Sequence, residues 1–295
     1  MEIKEIEFLL KKTEFEHFIG FFQKIKLKDY EYNNIFKTGN EKSGFYLLKI
    51  IENYKPNVID SINILKEIKD PENIINKNIG FIEKENCIIT VSEWLNGKQP
   101  IENKENLPIF FSKLALLNKN NITNGPYTSM YLDYKYFDNA TNLIDYEVNN
   151  HIKFIPENIE IKPLLKILEN LKNGIICIIH EDMNCGNLFI TNNGKYKIID
   201  TEWVVKGINL YQFQHFDYFG FCEKNWYNIT ENAKDCYKAY FETLGINYKE
   251  ANEQIRAVEL LNTLRENTYI KHSGKEKDKD IENRIKIIME WKKFI

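Results

Sequence analysis

The residues best suited to chemistry fall in one stretch, Ile178 to Trp203, which reads IIHEDMNCGNLFITNNGKYKIIDTEW. Asp182 and Asn187 stand on a loop with four residues between them, His180 lies two residues before the aspartate, and a strand-like segment from Lys195 to Ile199 delivers Asp200. One carboxylate free to orient a hydroxyl, with an amide oxygen and a second carboxylate free to hold a metal, is the minimal set for phosphoryl transfer. That reaction asks a protein for an oriented acceptor and for neutralised phosphate charge, and for little covalent chemistry.

The chain that must position these groups has 295 residues, enough for one large domain or two lobes with a sizeable core. Its 43% hydrophobic and 28% charged content is that of an ordinary globular protein. A net charge of −3 gives no electrostatic footprint for nucleic acid. No apolar run approaches the length of a membrane span, and the charged amino terminus MEIKEIEFLLKK is unlike a signal peptide, so a cytoplasmic protein is expected. Cys87, Cys177, Cys185, Cys222 and Cys236 are scattered and form no C-x-x-C pair, which reads as reduced thiols.

Apolar residues from Ile3 to Phe22 recur at helical spacing. A strand is then expected around Ile25 to Leu27, followed by a hairpin turned by Thr38-Gly39-Asn40 and Ser43-Gly44. Phe45 to Ile51 reads as a strand with Lys49 inside a nearly continuous apolar run, and Pro56 to Lys69 as a helix. Ile79 to Glu83 and Cys87 to Glu93 complete a small lobe. Beyond residue 100 the pattern is mainly helical: Leu107 to Asn118, Ile161 to Leu171, Thr230 to Leu244, Tyr248 to Asn267 and Asp280 to Phe294. The charge-dense connector Lys271 to Asp280 reads as solvated. These elements predict an α+β protein of two lobes.

The motifs resemble those of the aminoglycoside phosphotransferase and choline kinase superfamily. Four places carry the resemblance, spanning roughly residues 20 to 220. Phe45 to Ile50 looks like the strand of the ATP-binding lysine, and Val91-Ser92-Glu93-Trp94-Leu95-Asn96-Gly97 like the hinge. Leu114 to Asn118 looks like the Leu-Ala-x-Leu-His helix end, with Asn in place of His. His180 to Asn187 and Ile199 to Trp203 look like the H-G-D-x-x-x-x-N and I-D-x-E segments. The resemblance implies a bilobal protein-kinase-like fold, with a small mixed β-sheet N-lobe at 1–96, a hinge near 93–97 and a larger, mainly helical C-lobe at 97–295. It implies ATP or GTP as co-substrate with Mg²⁺, and transfer of the γ-phosphate to a hydroxyl of a small molecule.

Residue by residue, Asp182 is expected to orient the acceptor hydroxyl and take its proton, and His180 to brace the loop. Asn187 and Asp200 would ligate Mg²⁺, for which hard oxygens are suited. Lys49 would bind the nucleotide phosphates, with Asp60 or Glu67 as its carboxylate partner, and Glu93, Trp94 and Leu95 would hold the base. Glu181 stands where the family has glycine and either presses like charge on Asp182 or faces solvent. Glu202 could assist a second metal, bind a cationic substrate or be an ordinary surface residue. No G-x-G-x-x-G lies between the first strands, which argues against a protein kinase.

The acceptor is left open. Tyr211 and Trp226 belong to an aromatic region that would either form a cation–π site for a choline- or ethanolamine-type substrate or pack into the core. A catalytically silent kinase-fold binding protein is the reading from another class, but the catalytic and metal residues are all present.

Overall fold

The computed structural model describes residues 3–11, 13–19, 22–25, 34–42, 44–54, 56–84, 87–98, 107–129, 132, 135–183, 187–213, 231–273 and 279–291. Strands β1 (Phe22–Lys24), β2 (Asn34–Asn40), β3 (Gly44–Glu52), β4 (Asn78–Lys84) and β5 (Cys87–Glu93) form one sheet in the order β1-β2-β3-β5-β4. Every pairing in it is antiparallel, so the sheet is not mixed in strand direction. Side chains alternate across β3, and this explains a lysine in an apolar run. Leu48 and Ile50 face helix α1 (Ile3–Leu10) with Ile89 and Val91, while Lys49 and Ile51 point to the other face, where α2 (Pro56–Glu67) packs Val58 and Ile62 against Ile88.

The β2–β3 hairpin forms where the glycines predict it. A Cβ on Gly39, whose φ is +95°, would lie 2.2 Å from the Gly44 carbonyl oxygen, so glycine is required there. The first helix is shorter than its periodicity suggests. It stops at Leu10, where the Thr13 hydroxyl donates to the Leu10 carbonyl and accepts from the Phe15 amide, giving the chain an alternative to further helix. The first strand correspondingly comes early, at Phe22–Lys24, and Leu27 lies outside the described residues.

The helical part contains α3 (Leu107–Asn120), α4 (Ala140–Ile152), α5 (Ile161–Leu168), α6 (Glu231–Leu244), α7 (Tyr248–His272) and α8 (Lys279–Glu290). Its core includes Phe110, Phe111, Phe213, Tyr237, Tyr240 and Phe241, all fully buried. Set into it are a ribbon of β7 (Ile176–His180) paired with β10 (Val204–Ile208), and a small sheet of β6 (Gly97–Lys98), β8 (Leu188–Thr191) and β9 (Tyr196–Ile198). Lys271 and His272 close α7 rather than opening a connector, and α8 begins at Lys279. Cys87, Cys177 and Cys236 are buried free thiols. Among the described residues no helix is long and apolar enough to cross a membrane.

Helix α4, which the sequence pattern misses, carries a buried charge cluster. Glu147 is fully buried, accepts from Arg265 Nε at 2.6 Å and lies in ion-pair contact with its terminal nitrogen. His151 lies one turn on, with Nδ1 2.9 Å from Thr268 Oγ1. Burial holds this imidazole down to about 4, with Glu147 opposing and Arg265 and Lys153 adding to the effect. An unfolded histidine, titrating near 6.5, takes up a proton more readily than the folded one. Stability is therefore unaffected above that pH and falls as the pH drops from about 6.5 to about 4, by about 3 kcal/mol if the shift is fully expressed. Urea unfolding of wild type and His151→Gln across that range checks this: the variant should lose the excess slope, and parallel curves would refute it.

Candidate active site

The ribbon β7–β10 fixes the loop that follows it. His180 pairs with Val204 at the ribbon's end, and the Glu181 amide donates to the Trp203 carbonyl at 3.1 Å. Asn118, at the end of α3, anchors the ribbon from below. Its Nδ2 donates to the Ile178 carbonyl at 2.9 Å, and its Oδ1 accepts from Gln212 Nε2 at 2.8 Å and the Tyr240 hydroxyl at 2.7 Å. Both polar atoms of the Asn118 amide are engaged, so asparagine serves an architectural role at the position where the resemblance leads one to expect histidine.

His180 Nε2 lies 3.0 Å from the Asp200 carbonyl oxygen, which can only accept, so this nitrogen carries a proton and donates. Burial pushes the imidazole's pKa down, although Asp182 and Asp200 pull it up, and the ring is neutral. Asn187 Nδ2 donates to the Asp182 carbonyl at 2.7 Å and to Asp182 Oδ2 at 2.9 Å, locking the loop across its open side. The Ile199 amide in turn donates to the Asn187 carbonyl at 3.0 Å, which brings the segment leading to Asp200 alongside. Asn184, Cys185 and Gly186 lie outside the described residues.

Asp200 adopts a left-handed backbone conformation, φ +60° and ψ +48°, uncommon for a residue with a Cβ. That turn aims its carbonyl at His180 and its carboxylate at Lys49. The Lys49 ammonium contacts both Asp200 Oδ1 and Glu202 Oε1. Burial works against the ammonium, but Glu202 and Asp200 outweigh it and raise the lysine's pKa. Burial also works against charge on Asp200, yet Lys49 and the other partners hold it below the usual carboxylate range. Glu202 is pushed up to about 7, by burial first and then by the neighbouring Asp200 charge.

Several expectations are corrected here. Neither α2 carboxylate pairs with Lys49: Asp60 accepts from the Tyr136 hydroxyl and Glu67 is exposed. Glu202 is not a surface residue, with its side chain only 16% exposed. Glu181 does not face solvent but is fully buried. Tyr211 is 1% exposed, its ring in the core beneath the Arg265 guanidinium at 4.9 Å, and is not available to an acceptor. Trp226 lies outside the described residues.

The segment 93–97 leads from β5 into β6. The Trp94 amide donates to the Phe45 carbonyl at 3.1 Å, Asn76 Nδ2 donates to the Glu93 carbonyl at 3.3 Å, and the Asn192 amide donates to the Asn96 carbonyl at 2.8 Å. A Cβ on Gly97 would lie 2.0 Å from the Ile190 carbonyl oxygen, so glycine is what lets β6 reach β8. Clefts of about 580 and 350 Å³ flank the segment, both lined by Asn73, Glu93, Trp94, Asn96 and Lys197. Lys49, Asp182 and Asp200 line neither, so the hinge clefts and the charged cluster are separate features.

No family model and no curated protein matches the sequence. Solved structures do match the fold. A thermostable variant of aminoglycoside phosphotransferase APH(4)-Ia, in ternary complex with AMP-PNP and hygromycin B, superposes with a TM-score of 0.64 at 13% identity, over 97% of this chain and 98% of that one. The chain has a kinase-like fold. Choline kinase LicA from Streptococcus pneumoniae matches at TM-score 0.55 and 11% identity, covering 97% of this chain and all of that one. Plasmodium vivax ethanolamine kinase matches at 0.54 and 16%, over 91% and 81%. These neighbours are small-molecule kinases, and at such identities the likeness is one of fold.

Among the described residues no group of three or more His, Cys, Asp or Glu forms a metal cage. Mg²⁺ does not need one, since it keeps several waters and takes one or two protein oxygens plus phosphates. Asn187 has Nδ2 committed to Asp182, leaving Oδ1 as a hard donor, and Asp200 is ionised beside it. The donor set suits that ion.

Proposed function

We propose that this protein is a cytoplasmic small-molecule kinase that moves the γ-phosphate of ATP or GTP to a hydroxyl of its acceptor. The observation that carries this is the meeting of the sequence-distant Lys49 with Asp200 and Glu202 in one ionic cluster, with Asp182 tied to the adjoining segment through Asn187. Asp182 would take the proton of the acceptor hydroxyl as its oxygen bonds to phosphorus, while the bond to the bridging oxygen breaks and the diphosphate leaves. Lys49 would hold nucleotide phosphate oxygens. Asn187 and Asp200 would hold Mg²⁺, which supplies neutralisation of charge on the phosphates. The nucleotide base would dock on the hinge between the lobes at 1–96 and 97–295. The Glu93 carbonyl and Trp94 amide already bond within the protein, and Leu95 would offer its backbone groups to the base.

Hygromycin B in the neighbouring phosphotransferase supports an aminoglycoside-like, cationic acceptor. Burial of Tyr211 removes one of the two aromatic residues proposed for a choline-type cage. The test is thermal stabilisation by Mg–ATP or Mg–GTP, followed by ADP or GDP release with aminoglycosides, choline, ethanolamine, thiamine and sugars. Stabilisation by at least one nucleotide and turnover with at least one acceptor are expected. No stabilisation by either nucleotide would refute the assignment.

A further inference from the structure

Resting on the kinase reading, we infer that Glu202, two residues beyond the metal aspartate, is the carboxylate that positions the phosphate-binding Lys49, a task that no carboxylate of α2 performs. Helix α2 is turned with its apolar face inward. Its apolar residues Val58, Ile62 and Leu65 are buried, and its Asp60 and Glu67 line a cleft of about 240 Å³ with Tyr136 and Lys206, away from the ionic cluster. The α2 residues that do reach the metal segment are uncharged. Ser61 Oγ lies 2.8 Å from the Glu202 carbonyl oxygen and 2.7 Å from that of Val204, as well as 2.8 Å from the Asn57 carbonyl, and shares its one proton among them. Helix α2 therefore grips the backbone of the short turn Thr201–Trp203 that presents Glu202, and Glu202 in turn grips Lys49.

This arrangement divides the labour between two carboxylates. Lys49 is held by Asp200 and Glu202 together. Asp200 is also a metal ligand in the proposed function, so its share of the lysine would weaken when Mg–nucleotide enters. Glu202 then keeps the ammonium placed while the phosphates arrive. A buried lysine with no carboxylate left would be costly, which is why a second one is needed.

Two measurements test this, and the first needs no nucleotide. In double-mutant cycles followed by urea unfolding, Lys49→Met and Glu202→Gln should be strongly coupled, the double variant's midpoint shift falling well short of the summed single shifts. Lys49→Met with Asp60→Asn or with Glu67→Gln should be additive. Additivity with Glu202, or coupling to either α2 carboxylate, would overturn the inference whatever the enzyme does. The second is calorimetric binding of Mg–ATP or Mg–GTP beside steady-state kinetics. Glu202→Gln should weaken binding and raise KM by about tenfold or more, with a smaller change in kcat. Glu202→Asp should recover part of the loss and covers the case in which the glutamine variant folds poorly. Unaltered binding in both variants would again count against Glu202. Wild-type protein that binds no nucleotide would instead refute the kinase reading, with the unfolding cycles still deciding the ion pair.

Discussion

Asp182→Asn is expected to lower turnover by about 10²–10⁴-fold, the usual contribution of a positioned general base, while Mg–nucleotide binding and folding stay near wild type. The substitution is chosen for what it leaves intact. Asn187 Nδ2 donates to both the carbonyl and the side chain of residue 182, and an asparagine there still offers a side-chain oxygen to accept. Lys49, Asp200 and the hinge are untouched, so the nucleotide retains its contacts. What disappears is the ability to take a proton from the acceptor. Asp182→Ala is the contrasting variant: it also removes the side-chain half of the brace from Asn187 and should lose some thermal stability as well as activity. A thermal-shift titration beside single-turnover kinetics separates the two. Full turnover in Asp182→Asn would remove this residue from the chemistry, and lost nucleotide binding would make it a structural residue instead.

That loop was legible from sequence because its information is local. The spacing of Asp182 and Asn187 and the single lysine in the apolar run Phe45 to Ile51 are one-dimensional signals, and short-range backbone geometry preserves them. The partner of Lys49 was not legible. Asp60 and Glu67, about two turns apart, share a direction, but which way that face points depends on how Val58, Ile62 and Leu65 seat against the sheet and the metal segment. Only packing decides this, and it turns the carboxylates toward Tyr136. Glu181 illustrates the same limit. Local sequence places it beside Asp182, whereas its burial follows from the elements packed under the loop. Helix α4 was missed because its polar residues include members of the buried cluster: Glu147 and His151 read as surface positions until Arg265, more than a hundred residues later, is brought against them.

That cluster yields the other large effect. Arg265→Met is expected to destabilise the protein by about 3–5 kcal/mol, the cost of stranding one member of a buried ion pair. Glu147 is fully buried, and Arg265 supplies both its Nε and a terminal nitrogen to the same carboxylate oxygen. Methionine fills much of the arginine stem's volume but donates nothing, so the carboxylate is left in a site with little water. The guanidinium also lies over the buried Tyr211 ring, and that contact would go too. If the loss arises from the stranded charge, removing the charge should relieve it. The double variant Glu147→Met/Arg265→Met should therefore recover much of the stability, since apolar replacements of a whole buried pair are often neutral or better. Urea unfolding of the single and double variants decides between the two origins. A double variant no more stable than Arg265→Met would mean that the arginine acts through packing on Tyr211 and α7. Recovery would identify the ion pair as a device that sets how α4 and α7 meet, beneath the segment that carries Tyr211 and close to the buried Glu181. Activity in the rescued variant then reports whether that meeting also places Asp182.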